Sequence, residues 1–320
     1  MNATAINPRR RLRRWIGVGG LLLGLAGAGW LLDQFRPRDA YFTARRGHVI
    51  AAESEPPRSE AGGFVSQAVR VQADTGLTVN LRVLRPESAA RRLPLVVVLG
   101  GHRTGRDAVH LIGAPGPMVV AALDYPYDGP ERPRGLRQSL AVIPAARQGL
   151  LDTPPAVLLA LDWLLAQPWV DPDHVELMGV SLGVPFAAVA GALEPRVRRV
   201  WLIHGGADNR RWIEHNLRRR MDSTTVRSLA SWLVYLLARG PAFEAGEWAA
   251  RCAPRPVMVV GARDDARLPE RFVEQLHAAA GEPCELIWTE GGHVDRRPEN
   301  VHRLLEIVRT RVLETADADR

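Results

Sequence analysis

The residues best placed to do chemistry are Gly179-Val180-Ser181-Leu182-Gly183. An apolar run, Val175 to Met178, precedes them and reads as a short buried strand; an Ala-rich run of helical length follows. Glycines on both sides of Ser181 permit a turn so tight that the serine takes a strained backbone conformation, with its hydroxyl held clear of the sheet. The helix begins at once, so its unpaired N–H groups and positive dipole end lie beneath that oxygen. The bland reading of the same five residues is a glycine-rich connector.

A neutral serine hydroxyl is a weak nucleophile and needs a general base. Among nine histidines, His204 ends a strand and His102 sits in a loop, both near the expected site. His293 is preferred because Gly291-Gly292-His293 follows the last expected strand and precedes the closing helix. The imidazole in turn requires a carboxylate to hold its tautomer and stabilise its charged form. Asp264 and Asp265, in Gly261-Ala262-Arg263-Asp264-Asp265-Ala266-Arg267-Leu268-Pro269, are the candidates.

The order nucleophile, acid, histidine, together with the Gly-x-Ser-x-Gly turn, resembles the α/β-hydrolase superfamily over residues 60 to 315. The dienelactone-hydrolase-like and prolyl-oligopeptidase-like groups are the nearest within it, although Val184-Pro185 stands where relatives often carry a small residue. The resemblance implies a serine hydrolase, most simply a carboxylic ester hydrolase working through an acyl-enzyme on Ser181, with no cofactor and no metal. Family loops place the acid three residues after a small residue and four before a proline. With Ala262 and Pro269 as markers this selects Asp265, while counting from Gly261 selects Asp264. The resemblance further implies an oxyanion hole made of the Leu182 backbone N–H and that of His102, with Gly101 a near alternative. A peptidase or acyltransferase would use the same machinery. A non-catalytic binding protein on the same fold is the competing class.

The chain around these residues reads as a mostly parallel twisted sheet with helices on both faces. Phe64 to Gln72 and Leu77 to Leu84 alternate with period two around Asp74-Thr75-Gly76, an antiparallel hairpin. Leu93 to Leu99 and Met118 to Leu123 read as buried parallel strands, and Val197 to His204, Pro256 to Val260 and Glu285 to Trp288 as the strands that follow. Asp152 or Thr153 with Pro154 is expected to start a helix running to Ala166, and Asp171-Pro172-Asp173 to form a turn. Pro298 opens a closing helix with Val301, Leu304, Leu305, Val308 and Val312 on one face. The hydrolase domain is placed at 63–316, before a tail at 317–320. Residues 209–253 are a helical cap insertion whose apolar residues could line an acyl pocket or touch a membrane.

Residues 1–14 are a basic N-terminus containing Arg9, Arg10, Arg11, Arg13 and Arg14, and 15–32 an uncharged apolar run. As a helix that run is about 27 Å long, near the ~30 Å hydrocarbon core and longer than an ordinary signal core. A membrane anchor is expected, with the N-terminus in the cytoplasm and the catalytic domain on the extracytoplasmic side of the inner membrane. The alternative is export after signal cleavage. Gly20 and Gly24 form a GxxxG pair. Residues 33–62 are polar and proline-containing and read as a linker, with one short strand near His48 to Ala51.

The 320 residues are 46% hydrophobic and 24% charged, enough for one large domain. Net charge is +7, concentrated at the N-terminus, with no aromatic-interleaved basic stripe, so no nucleic-acid partner is expected. The expected partners are a small ester or acyl substrate and the membrane. Two cysteines, Cys252 and Cys284, precede strands expected to be neighbours and would suit one disulfide.

Overall fold

The structure is a computed structural model that describes residues 8–101, 104–130, 132–293 and 298–318, with side chains for all of these but 8–18, 112, 298–303 and 315–318. Its elements in chain order begin with α1 (Pro8–Gln34), α2 (Asp39–Arg46), β1 (Val49–Ser54), β2 (Arg58–Glu60), β3 (Phe64–Ala73), β4 (Thr78–Pro86) and β5 (Leu93–Leu99). Then come α3 (Ala108–Ile112), β6 (Val119–Leu123), α4 (Gly135–Ala141), α5 (Ile143–Leu165), β7 (Val170–Val180), α6 (Gly183–Leu193) and β8 (Arg199–Ile203). The last third holds α7 (Asn209–Leu217), α8 (Thr224–Leu237), α9 (Ala245–Ala250), β9 (Val257–Ala262), α10 (Glu270–Ala280), β10 (Cys284–Thr289) and α11 (Pro298–Ala318).

Among the described residues the strands form one ten-stranded sheet in the order β1-β3-β4-β6-β5-β7-β8-β9-β10, with β2 paired to β3. The strands from β6 to β10 run parallel, and β1, β3 and β4 extend them antiparallel. The apolar strands read as continuous runs because both faces are covered. On β5, Leu93, Leu95, Leu99 and Val97 enter one core with α5, α6, α9 and α10, while Val96 and Val98 enter a second core with α3 and α11. Residues 197 to 203, 256 to 262 and 284 to 289 split the same way: Trp201 and Ile203 face one side, Val200 and Leu202 the other. In α11 the described residues Val308 and Val312 are buried, and Val301 lies outside the described side chains.

Several expectations are corrected. Pro154 and Pro155 do not start a helix; they lie inside α5, which begins eleven residues earlier at Ile143. Thr153 Oγ1 donates to the Gly149 carbonyl at 2.7 Å, supplying a hydrogen bond in the stretch where the prolines have no N–H to give. Asp152 is not a cap: its carboxylate receives Arg45 at 2.9 and 3.0 Å and Tyr41 at 3.2 Å, tying α5 to α2. Segment 33–62 is therefore no linker. It contributes α2, β1 and β2, and α2 sends Phe42, fully buried, into the core against Phe243 and Trp248. The turn at 171–173 is absorbed into β7 as a bulge, Leu93 pairing with Val170 and Leu95 with Val175.

The cap is also smaller than 209–253. Phe243, Ala245, Trp248 and Ala249 belong to the main core, leaving α7 and α8 as the excursion. Cys252 and Cys284 are free thiols; that of Cys252 is buried and donates to the Trp248 carbonyl at 3.7 Å. No helix is long and apolar enough to cross a membrane among the described residues, and the first residues of the 15–32 run lie outside the described side chains.

Candidate active site

The sheet delivers five loops to one edge, at the carboxyl ends of its parallel strands, where ligands of open α/β sheets bind. Gly100 follows β5, Ser181 follows β7, His204 follows β8, Asp265 follows β9 and His293 follows β10.

Ser181 occupies the turn between β7 and α6 with φ of 53°, in the left-handed region that non-glycine residues avoid. The strain is held from two sides. The Ser181 N–H donates to the Ile203 carbonyl at 2.8 Å, and the flanking glycines let the chain pack closer than any side chain allows. A Cβ on Gly179 would sit 2.6 Å from the Gly183 carbonyl oxygen, and one on Gly183 would collide with the Leu99 carbonyl oxygen. Leu182 is already helical, with φ of −56° and ψ of −29°, so its N–H belongs to the set left unpaired at the start of α6.

The three side chains chosen from sequence meet. Ser181 Oγ lies 2.8 Å from His293 Nε2, and His293 Nδ1 lies 2.6 Å from Asp265 Oδ2. A carboxylate only accepts, so Nδ1 carries the ring proton and Nε2 turns its lone pair to the serine hydroxyl. The Asp265 side chain is buried, and its other oxygen accepts the Arg267 and Leu268 N–H groups, each at 2.9 Å. Burial pushes the Asp265 carboxyl up, but the His293 ring and these backbone donors outweigh it and hold the group below its usual value of 3.8. Asp264, the alternative acid, is exposed, and its N–H bonds the Gly291 carbonyl.

His204 stands beside this group, its ring centroid 6.1 Å from that of His293. Burial first, and then the neighbouring imidazole, pushes its pKa down to about 4, so at neutral pH His204 itself carries no positive charge. Ligand atoms of His204, Asp265 and His293 lie within 4.8 Å of one another, a set that could also hold a metal ion.

Of the two proposed oxyanion donors, Leu182 is placed as above, and His102 lies outside the described residues. Gly101, the alternative, passes close to Ser181: a Cβ there would come 3.7 Å from Ser181 Cβ. Its loop is oriented by two hydroxyls that the sequence did not single out. Tyr125 donates to the Gly100 carbonyl and Thr104 to the Gly101 carbonyl, both at 2.6 Å. Thr104, three residues after Gly101, carries a weak local signal as a turn former; Tyr125 comes from a different loop and carries none.

α7 reaches the loop after β9. Trp212 Nε1 and Asn216 Nδ2 of α7 both donate to the Arg267 carbonyl at 3.0 Å. Surface cavities of about 240 and 390 Å³ lie elsewhere, and neither is lined by the Ser181, Asp265 or His293 side chains.

No family model matches the sequence, and no curated protein matches it. Solved structures do. An acetyl xylan esterase from Paenibacillus sp. R4 superposes with a TM-score of 0.61 at 16% identity, covering 84% of this chain and 93% of that one. Acetyl xylan esterase 1 from Thermoanaerobacterium sp. JW/SL YS485 gives 0.57 at 16% identity over 84% and 94%. An alpha/beta hydrolase from Penicillium sp. sh18 gives 0.55 at 17% over 77% and 97%. The chain has the α/β-hydrolase fold.

Proposed function

We propose that the chain is a serine hydrolase that cleaves carboxylic esters through an acyl-enzyme on Ser181. The observation that carries this is the unbroken hydrogen-bonded row from Ser181 Oγ through His293 to Asp265. The esterases among the structural neighbours support an ester as substrate.

His293 Nε2 takes the hydroxyl proton as Ser181 Oγ bonds to the ester carbonyl carbon. Asp265 holds the resulting imidazolium in place and stabilises it. The carbonyl oxygen becomes an oxyanion facing the Leu182 N–H and a second backbone N–H from the loop after β5; one such donor is typically worth about 2.7–4 kcal/mol in the transition state. The intermediate collapses, the C–O bond to the alcohol breaks, and the alcohol leaves with the proton from His293. Water then loses a proton to Nε2 and attacks the acyl-enzyme, releasing the acid and restoring Ser181.

Ser181→Ala should abolish hydrolysis of short p-nitrophenyl esters, and a fluorophosphonate should add its mass at Ser181 in the folded wild-type protein. Full activity in the variant would sink the reading. Absence of labelling would favour a binding protein, and acyl transfer to an added alcohol without free acid would favour a transferase.

We further propose that α1 anchors the chain in the inner membrane, with the hydrolase domain on the extracytoplasmic side. The uncharged 15–32 run, the arginines before it, and the exposed leucines of its described part support this. Release by alkaline carbonate, or by signal cleavage, would refute it.

A further inference from the structure

α8 is built inside out. Its two buried side chains both carry a hydroxyl: Ser231, which donates to the Ser228 carbonyl at 2.7 Å and accepts from Arg210 at 3.2 Å, and Tyr235, which donates to Glu244 at 2.6 Å; Leu236 and Leu237 are half-buried. The apolar positions at helical spacing point the other way. Leu229 is 67% and Leu233 59% exposed, with Val226, Trp232 and Val234 exposed beside them. A surface helix in water turns its apolar stripe inward; here the stripe is left open, and an uncovered patch of this kind marks an interaction site.

Two features of its surroundings indicate what covers it. The first is continuity with α1. Arg239, just past the end of α8, pairs with Asp33 at the end of α1 at 2.5 Å, and Arg38 holds the same carboxylate at 2.8 Å. Leu21, Leu22, Leu23, Leu25 and Leu32 of α1 are exposed as well, so two helices with uncovered leucines are pinned to one corner of the domain.

The second feature is charge. Between α7, α8 and α10 opens a cavity of about 240 Å³ lined by Arg211, Arg218, Arg227 and Arg271 with His215 and Glu214. Glu214 is already paired with Arg210 at 2.8 Å. A guanidinium presents a fork that matches phosphate oxygens, so this recess suits an anionic phosphate group. Leucines outward and arginines along the edge are the pattern of a helix lying in a membrane interface.

We infer that α8 docks on an anionic phospholipid bilayer, its leucines among the acyl chains and the arginine-lined recess at the headgroup phosphates. The inference rests on the anchoring of α1 for its setting, and not on the hydrolase chemistry. It makes the cap the membrane-facing side of the domain.

The test uses the full chain in vesicles of phosphatidylcholine mixed with phosphatidylglycerol. Leu229→Cys and Leu233→Cys, each in a Cys284→Ser background with Cys252 buried, are labelled with a fluorophore of the nitrobenzoxadiazole type. Glu274→Cys, on the exposed side of α10, is the control. At 229 and 233 the probe should lose most of its emission to nitroxide-bearing acyl chains and little to aqueous iodide. The probe at 274 should do the reverse. Adding Arg218→Glu and Arg227→Glu should restore much of the lost emission.

Vesicles that float with the protein while iodide alone quenches position 229 would overturn the inference and leave the anchor standing. Protection from both quenchers, with energy transfer between labelled copies, would overturn it in favour of a second copy of the chain. Failure of the protein to float would overturn it together with the anchor. Fluorophosphonate labelling of the same samples reports Ser181 separately, so loss of the hydrolase reading leaves the quenching result intact.

Discussion

The indole of Trp212 donates to the carbonyl of Arg267 at 3.0 Å, two residues beyond the carboxylate that orients His293. α7 and the loop after β9 are thus joined by a bond that does not involve the side chains of Ser181, His293 or Asp265. Asn216 reinforces it from the next turn of α7. Trp212→Phe keeps the ring and removes the donor. We expect a loss of about 1 kcal/mol in unfolding free energy and a fall in kcat, both measurable by denaturant titration and ester hydrolysis. Unchanged kcat would mean that the cap rides on the acid loop without steadying it.

The two neighbouring aspartates should behave oppositely. Asp265→Asn replaces an acceptor-only group with one that can present the wrong face to His293 Nδ1, and by analogy with other triads should lower kcat by roughly four orders of magnitude. Asp264→Asn changes an exposed side chain and should leave kcat within a factor of about two. Equal losses in both would reassign the acid.

His204 makes a prediction about acid stability. Its folded pKa is about 4 against an ordinary 6.5, so between those values the unfolded chain binds the proton first. Its contribution is therefore whole above pH 6.5 and drains away as pH falls towards 4, by about 3 kcal/mol in all. Asp265, held below 3.8, loses its own contribution only at lower pH. His204→Asn, which tolerates the left-handed backbone at this position, should flatten the decline between pH 6.5 and 4.5 in chemical denaturation. A decline as steep as in the wild type would assign it to other groups.

Phe42→Ala tests whether residues 33–62 belong to the domain. The ring is fully buried between Phe243 and Trp248, and its removal should cost about 3–5 kcal/mol. A melting temperature within error of the wild type would return the segment to linker status.

Ser181 and His293 were legible because their requirements are local, whereas the choice of Asp265 over Asp264 came from the spacing that the family resemblance implies. Gly179 and Gly183 advertise a close approach, and Gly291-Gly292 frees a loop between two regular elements. The strands were legible because burial on both faces leaves no room for polar residues, as in Leu93 to Leu99. Pro154 and Pro155 misled because local rules place proline at a helix start, while the interior position depends on α5 being packed along its length and tied to Arg45 across the fold. Residues 33–62 misled because their anchors are non-local: one buried ring, Phe42, the Arg45 and Tyr41 bonds to Asp152, and the pairing of β1 and β2 with β3 hold a mostly polar segment. The direction of the α8 stripe was not readable at all: an amphipathic helix has the same periodicity whether its leucines face the core or the outside.

Between the last residue of α1 and the first of α2 there are only Phe35, Arg36, Pro37 and Arg38. Four residues reach at most about 14 Å, and Arg38 is itself clasped to Asp33. The connection between α1 and the sheet is therefore short, and an ion pair braces it. If α1 lies in a membrane as proposed, that membrane also sets the height and tilt at which substrate arrives, and molecules in or close to it are met first.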